Sequence, residues 1–191
     1  HILKKRTFTS YSQFGEDAIL NTIFRKKSKG FYIDIGAYHP THHSNTYALY
    51  RRGWSGIAVD PNSSFSSLYA VLRPRDTFMA TAVGQGEAVY YEYSNPVYNS
   101  ISKGRTPGHI TLVKDAPITL IPLKDIIKAQ GVDFLNIDAE GVDLEVLKTH
   151  DWNIYPSIIA IEGDEASDFL GEKGYTLVAM TGPTRIWQHK V

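Results

Sequence analysis

The sequence contains no cysteine. Disulfides, thiolate nucleophiles and cysteine-held zinc or iron–sulfur sites are therefore excluded, and any chemistry must use oxygen, imidazole or a borrowed cofactor. Net charge is missing too, because 20 Lys and Arg balance 20 Asp and Glu. No global field draws in nucleic acid or an anionic membrane, so neither is an expected partner. No apolar run approaches the roughly 18 residues needed to cross a bilayer. Residues 1–10 are basic and polar without the apolar stretch of a signal peptide, and the chain is read as soluble and cytoplasmic. Repeats, low-complexity tracts and Pro/Gly-rich linkers are absent as well. With 191 residues, 42% of them hydrophobic, a single domain over 1–191 is expected.

What is present is an alternation of strands and helices. Phe14, Ala18, Ile19, Ile23 and Phe24 recur at helical spacing and predict an N-terminal helix over 12–27. Residues 31–35 form an almost continuously apolar run closing in Asp34-Ile35-Gly36-Ala37, as a strand buried on both faces does. Ser44 and Gly53 bracket a helix. Residues 56–60 repeat the strand pattern, Pro61 stops it, and a serine-rich helix start leads to Leu72. Residues 76–83 read as a third strand, with 86–93 paired beside it after Gly84-Gln85-Gly86. The polar segment 94–115, broken by Pro and Gly, reads as a lid loop. A short strand at 118–123 and a helix at 126–130 follow. Then come a strand at 133–138, a helix at 143–149, a strand at 157–161, and an antiparallel hairpin within 174–191 around Thr181-Gly182-Pro183. The fold class is α/β, Rossmann-like: an open, mostly parallel sheet with helices on both faces and a C-terminal antiparallel hairpin.

In such sheets ligands sit at the carboxyl ends of the strands, where the strand order reverses. Here the apolar runs end in Asp34, Asp60, Asp138 and Glu162. Clustered carboxylates stay ionised together only beside a cation or good hydrogen-bond donors, so a positively charged ligand is expected. Gly36 is followed by Ala37, Tyr38, His39 and Pro40, without the glycines that bring backbone N–H groups onto a pyrophosphate. NAD is disfavoured on that ground. S-adenosylmethionine offers a sulfonium, an ammonium and a ribose diol with no phosphate. Asp60, ending the second strand, suits the two ribose hydroxyls. Gly36 allows close backbone approach, and Asp34 either contacts the cofactor or braces the turn.

The segments Ser12-Gln13-Phe14-Gly15-Glu16-Asp17, 31–37, His39-Pro40 with Ser44-Asn45-Thr46, Gly53-Trp54-Ser55-Gly56 and 133–141 resemble the FkbM family of S-adenosylmethionine-dependent methyltransferases. They run in the family's order over 12 to about 163. The resemblance implies a methyltransferase sheet with its cofactor-binding core over 31–163. It further implies O-methylation of a hydroxyl on a sugar or polyketide-type acceptor. Gln13, Gly36, Ala37, Asn45, Asp60, Ala82 and Val83 become expected cofactor contacts. Residues Tyr38 to His43 stand where the commoner family turn has an Asn and a second Gly.

Methyl transfer is an in-line displacement at an activated carbon, so the protein mainly aligns the reactants and manages the acceptor's proton. A sugar hydroxyl needs a base or a Lewis acid. His39, on the loop leaving the first strand, is the expected base; His42 and His43 are read as surface or lid positions. In a metal route Asp138 and Glu162, with Glu140 or Asp164, would offer oxygen ligands to Mg²⁺. Asp138 is expected to act in either scheme. The tyrosine-rich stretch 90–109 would close over a saccharide or glycoconjugate acceptor, though alternation also explains Tyr90, Tyr91 and Tyr93 as ordinary strand residues. A nicotinamide-dependent oxidoreductase and a non-catalytic nucleoside-binding module are the alternatives.

Overall fold

The computed structural model describes residues 8–103, 106–128, 131–139 and 141–190. Among them, ten strands and six α-helices run in the order α1 (Glu16–Ile23), β1 (Phe31–Ile35), α2 (Tyr47–Arg51), β2 (Ser55–Val59), α3 (Ser66–Leu72), β3 (Thr77–Met79), β4 (Ala82–Val83), β5 (Glu87–Tyr93), β6 (Leu112–Ile121), α4 (Leu123–Ile126), β7 (Phe134–Ile137), α5 (Asp143–Lys148), β8 (Ile158–Glu162), α6 (Ser167–Glu172), β9 (Tyr175–Thr181) and β10 (Thr184–His189). The main sheet has the order β3-β2-β1-β7-β8-β10-β9. β3, β2, β1, β7 and β8 are parallel, while β10 runs antiparallel to both β8 and β9. This is the mostly parallel sheet with a closing hairpin that the alternation predicts. None of the described helices is long and apolar enough to cross a membrane.

Strand periodicity assigns the core. Successive side chains point to opposite faces. Ile33, Ile35, Leu135, Ile137, Ile159 and Ile161 therefore pack together under Leu123 and Ile126 of α4, Val146 and Leu147 of α5 and Leu170 of α6. Their alternates Tyr32, Phe134, Ile158 and Ala160 face Leu20 of α1, Leu49 and Tyr50 of α2, and Trp54. Strand order reverses between β1 and β7. There the two departing loops touch: a Cβ on Gly36 would lie 1.7 Å from the Asp138 carbonyl oxygen, and its φ is +73°. Only glycine fits that crossing.

The same alternation puts Asp34 and its register partner Asn136 on the face of Tyr32, beneath a buried cation. Arg73 is 0% exposed. Its guanidinium donates to Asp76 Oδ2 (2.6 Å), the Pro40 carbonyl (3.2 Å), Ser44 Oγ (3.3 Å), Tyr32 OH (2.7 Å) and Thr46 Oγ1 (2.9 Å). The Thr46 hydroxyl in turn donates to Asp34 (2.5 Å), whose second oxygen accepts from Asn136 (2.9 Å). Burial raises the pKa of Asp34 and Asp76 alike, and Arg73 is the strongest opposing influence on both.

Elsewhere the structure departs from the pattern read off the chain. α1 starts at Glu16 and not at 12, because the Asp17 carboxylate holds residues 10–12 as a loop through Ser10 Oγ, the Tyr11 N–H and Ser12 Oγ. The stretch 76–83 divides. β3 joins the main sheet, while β4 pairs with β6 in a separate three-stranded sheet ordered β4-β6-β5. β5 accordingly pairs antiparallel with β6 and not with the third strand. β6 begins at Leu112, inside the expected lid loop, with its first four residues exposed. α4 ends at Ile126, where the expected helix begins, and the end of that expected helix, Ala129 and Gln130, lies outside the described residues. α6 stands where no helix is predicted; it seats Leu170 in the core.

Removing the guanidinium leaves Asp34 and Asp76 as buried, unmatched carboxyl groups. Arg73→Met is expected to lose about 3–5 kcal/mol in urea unfolding, the usual cost of breaking a buried ion pair from one side. Arg73→Lys should recover only part of it, having fewer donors and no fork. A loss below about 1 kcal/mol in Arg73→Met would show that the cluster does not hold this fold.

Candidate functional site

The carboxyl ends of β1, β2 and β7 form the floor of a cleft of about 900 Å³, counted with its open mouth. Gly36, Asp60 and Asp138 stand at those strand ends, with Ile35, Val59, Ala82 and Val83 supplying apolar wall. Further lining comes from β5 and the segment between β5 and β6: Tyr90, Pro96, Val97, Asn99, Ser100 and Ile101. A narrower polar cleft adjoins it, lined by Gln13, Glu16, His43, Asn45, Asn136, Ile137, Asp138, Glu162 and Thr184. Gln13, His43 and Asp138 belong to both and mark the junction.

Asp60 follows the last residue of β2, so its side chain leaves the sheet at the edge. Its Oδ2 accepts the Tyr38 N–H (2.9 Å) and its Oδ1 the Asn62 N–H (2.8 Å). Burial pushes its pKa up to about 6, against the opposing pull of those two N–H groups. Each carboxylate oxygen has a second lone pair beyond the one these N–H groups use. Tyr38 reaches Asp60 from a left-handed backbone, φ +46°, and the loop it opens closes on His43 at φ +52°. Non-glycine residues hold such angles only when their surroundings enforce them. Here the enforcement is Arg73 on Pro40 and Ser44, together with Ser44 N–H on the Tyr11 carbonyl.

The six expected residues Gln13, Gly36, Asp60, Ala82, Val83 and Asp138 line the larger cleft, and Asn45 and Glu162 line the polar one. Three others stand apart from both. Asp34 is spent on Arg73's cluster. Ala37 is buried with Ala58, Phe65 and Tyr69, its carbonyl accepting from Tyr69 OH (3.2 Å). His39 turns its Nδ1 to the N–H groups of Thr41 (3.2 Å) and His42 (3.3 Å). Burial, then His42 and His43, lowers its pKa. The four strand-end acids thus do not converge as a set: Asp138 and Glu162 share the polar cleft, and Asp60 stands across the junction.

The metal expectation finds no donor set. Among the described residues no three His, Asp or Glu side chains come together to hold an ion. Asp164 is exposed and faces Arg185 at 3.7 Å, while Glu140 lies outside the described residues. Asp143 serves the loop after β7 instead, accepting the N–H groups of Ala139 (3.0 Å) and Gly141 (3.2 Å).

Residues that the expected set omits include Tyr38 and His43, from the inserted loop, while the wall from Asn99 to Ile101 lies within the 90–109 stretch expected to cover the acceptor, without being singled out there. Neither stretch carries a periodic signal; the first is held by Arg73, some thirty residues on, and the second by its hydrogen bonds to Tyr91 and Tyr93 of β5. Among the described residues, no Lys or Arg lines either cleft. The site can therefore welcome positive charge or a diol, and among the described residues it sets no cationic side chain against a phosphate.

A family model described as the methyltransferase FkbM domain matches residues 34–180. No curated protein matches the chain closely enough to count as a relative. Among solved structures, Burkholderia thailandensis 1,6-didemethyltoxoflavin-N1-methyltransferase, bound to 1,6-didemethyltoxoflavin and S-adenosylhomocysteine, aligns with a TM-score of 0.49 at 11% identity. The alignment covers 92% of this chain and 77% of that one. The yhhF protein of Escherichia coli, described provisionally as a methyltransferase, aligns with a TM-score of 0.49 at 11% identity over 95% of this chain and 90% of that one.

The raised Asp60 pKa predicts a pH dependence. A diol donates best to the ionised carboxylate, so ligand binding lowers the folded-state pKa, and affinity must fall as pH drops below about 6. Calorimetric titration with adenosine is expected to give constant affinity from pH 7 to 8 and a weakening of up to about tenfold per unit below 6. Affinity that is flat down to pH 5 would remove Asp60 from the binding surface.

Proposed function

This chain belongs to the FkbM methyltransferase family, and from that premise we propose that it methylates a hydroxyl group on a saccharide or glycoconjugate. Its donor is S-adenosylmethionine. The observation that carries the donor assignment is the cleft at the reversal of strand order, lined by Asp60 and Asp138 and, among the described residues, by no cationic side chain. A dinucleotide would need donors for its pyrophosphate there, which counts against the oxidoreductase alternative.

The residues suit the donor's parts. Asp60 accepts the ribose hydroxyls with the lone pairs its two backbone partners leave over. Gly36 lets ligand and backbone come close. Asp138 and Glu162 in the polar cleft suit an ammonium, and Asn45, held by its amide to Asn136 Oδ1 (2.9 Å), adds a polar wall. When bound, the cofactor supplies a methyl carbon already activated by its sulfonium.

The acceptor's proton is left to the protein. His39 is turned into its own loop, so we assign that proton to His43, which, like Asp138, lines both clefts. The imidazole takes the acceptor's proton as the carbon–oxygen bond forms, and Asp138 orients the attacking hydroxyl by accepting its hydrogen bond. The polar edges of Tyr38, Asn99 and Ser100 along the larger cleft suit a sugar, whose faces are apolar and whose rim is hydroxylated.

Thermal unfolding tests the donor. S-adenosylhomocysteine at about a hundred times its Kd stabilises by about 2.7 kcal/mol, several degrees for a domain of this size. It is expected to raise Tm, while NAD leaves it unchanged; the reverse result would replace the methyltransferase by an oxidoreductase. Asp60→Ala should cancel the shift. With labelled donor and a panel of saccharides, His43→Gln should keep S-adenosylhomocysteine binding and lower kcat about 10²- to 10⁴-fold, whereas His39→Gln should keep both. Binding without transfer to any acceptor would leave a nucleoside-binding module.

A further inference from the structure

The parallel strands have two ends, and the cleft uses one. At the other, the segments entering β1, β2 and β3, neighbours in the sheet, all carry cations. Arg25, Lys26, Lys27 and Lys29 precede β1, Arg52 precedes β2 and Arg75 precedes β3. Hydrogen bonds tie these segments into one surface. Arg52 donates to the carbonyls of Phe24 (2.6 Å) and Lys27 (2.9 Å), Trp54 Nε1 to that of Lys27 (3.4 Å), and Arg75 to those of Tyr50 (2.5 Å) and Trp54 (3.5 Å). Carbonyl oxygens do not cancel a charge. Among the described residues only Lys27 of these six has a carboxylate partner, Asp133, while Asp76, which precedes β3, is spent on buried Arg73.

The zero net charge of the chain thus conceals a separation. Among the described residues no Lys or Arg lines the clefts at the carboxyl ends, whereas five cations without a carboxylate gather at the amino ends. Beside them lies exposed apolar surface. α3 exposes Leu68 (38%), Val71 (76%) and Leu72 (42%), which share one face of the helix by their spacing, and Pro74 and Arg75 follow directly.

Cations and apolar side chains on one surface select its partner. A nucleic acid would use the cations alone, since its phosphates offer nothing to Val71 and Leu72. An anionic bilayer uses both: the headgroups answer the charge, and the boundary beneath them takes apolar side chains out of water. We propose that the amino end of the sheet docks on a membrane bearing anionic lipid, through Arg25, Lys26, Lys29, Arg52 and Arg75, with Val71 and Leu72 at the boundary. The cleft then faces away from the bilayer, so docking is separable from ligand binding and stands independently of the reaction assigned to the cleft.

Sedimentation with vesicles tests the docking. The protein is expected to bind vesicles of phosphatidylcholine with one third phosphatidylglycerol, to bind pure phosphatidylcholine at least about tenfold more weakly, and to be released as salt rises. Lys26→Gln/Lys29→Gln should weaken binding about twenty-five-fold, roughly fivefold for each cation removed. Val71→Ser should weaken it about threefold. Lys114→Gln, which removes an exposed cation from the small sheet, should change it by less than about twofold. All these side chains are exposed, so the fold is not at stake. Equal binding to neutral vesicles, binding to neither kind, or a loss at Lys114→Gln as large as in the double variant would overturn the proposal. So would duplex DNA binding as tight as the vesicles' and indifferent to Val71→Ser, which would assign the surface to nucleic acid.

Discussion

The rest of the structure depends on one fully paired buried guanidinium. Arg73 has five N–H groups and five hydrogen bonds, and the rings of Tyr32, Tyr50 and Tyr69 lie 5.2–5.4 Å from its centre. A cation taken out of water is tolerable only when its donors are all met and its charge is answered, here by Asp76 and, through Thr46, by Asp34. The fork geometry makes those demands directional. It fixes Tyr32 in β1, Asp76 ahead of β3 and the loop from Pro40 to Thr46 relative to one another, although these segments are far apart along the chain.

From that constraint the site inherits its shape. The loop between β1 and α2 has left-handed residues at Tyr38 and His43, conformations that cost free energy in isolation. With Pro40 and Ser44 tied to Arg73, the loop has no cheaper arrangement that keeps the guanidinium satisfied. Its two ends then serve separate purposes. Tyr38 N–H steadies Asp60, and His43 stands between the two clefts. The Asn136–Asn45 amide pair extends the same cluster to the wall of the polar cleft, so the charged core and the binding surface are parts of one hydrogen-bonded system.

The strands around the reversal point are legible in the sequence because each is a short, nearly continuous apolar run ending in a turn residue, and Gly36 announces the turn. Asp34 does not belong among the ligand contacts, for a reason the sequence does contain. It lies inside β1, two residues after Tyr32 and on the same face, whereas Asp60 follows the final residue of its strand and points off the edge. Strand parity separates the two acids. His39 and His43 cannot be told apart in this way, since the turn between them is set by a residue some thirty positions downstream. β6 is half hidden: its end falls within the strand read at 118–123, but its first four residues are exposed and Pro117 stands inside it, leaving no run to mark its start.

An acid at a strand end is therefore no guide by itself to ligand charge. Asp34 answers an internal arginine and Asp60 is steadied by two backbone N–H groups. Asp138 and Glu162, which share the polar cleft, bring negative charge to one side of the junction. The opposite end is a different environment, walled by Val59, Ala82 and Val83 with Tyr90 facing them, where an apolar flat group loses less on leaving water. A ligand that is cationic at one end, aromatic at the other and hydroxylated between them meets each environment in turn, and S-adenosylmethionine is such a molecule. The division of labour also explains why two sheets are needed. The parallel sheet can offer only its edge, and a cofactor lying on an edge stays half in water until something covers it; the small sheet provides that cover and is anchored to the main core through Val83 and Ile121.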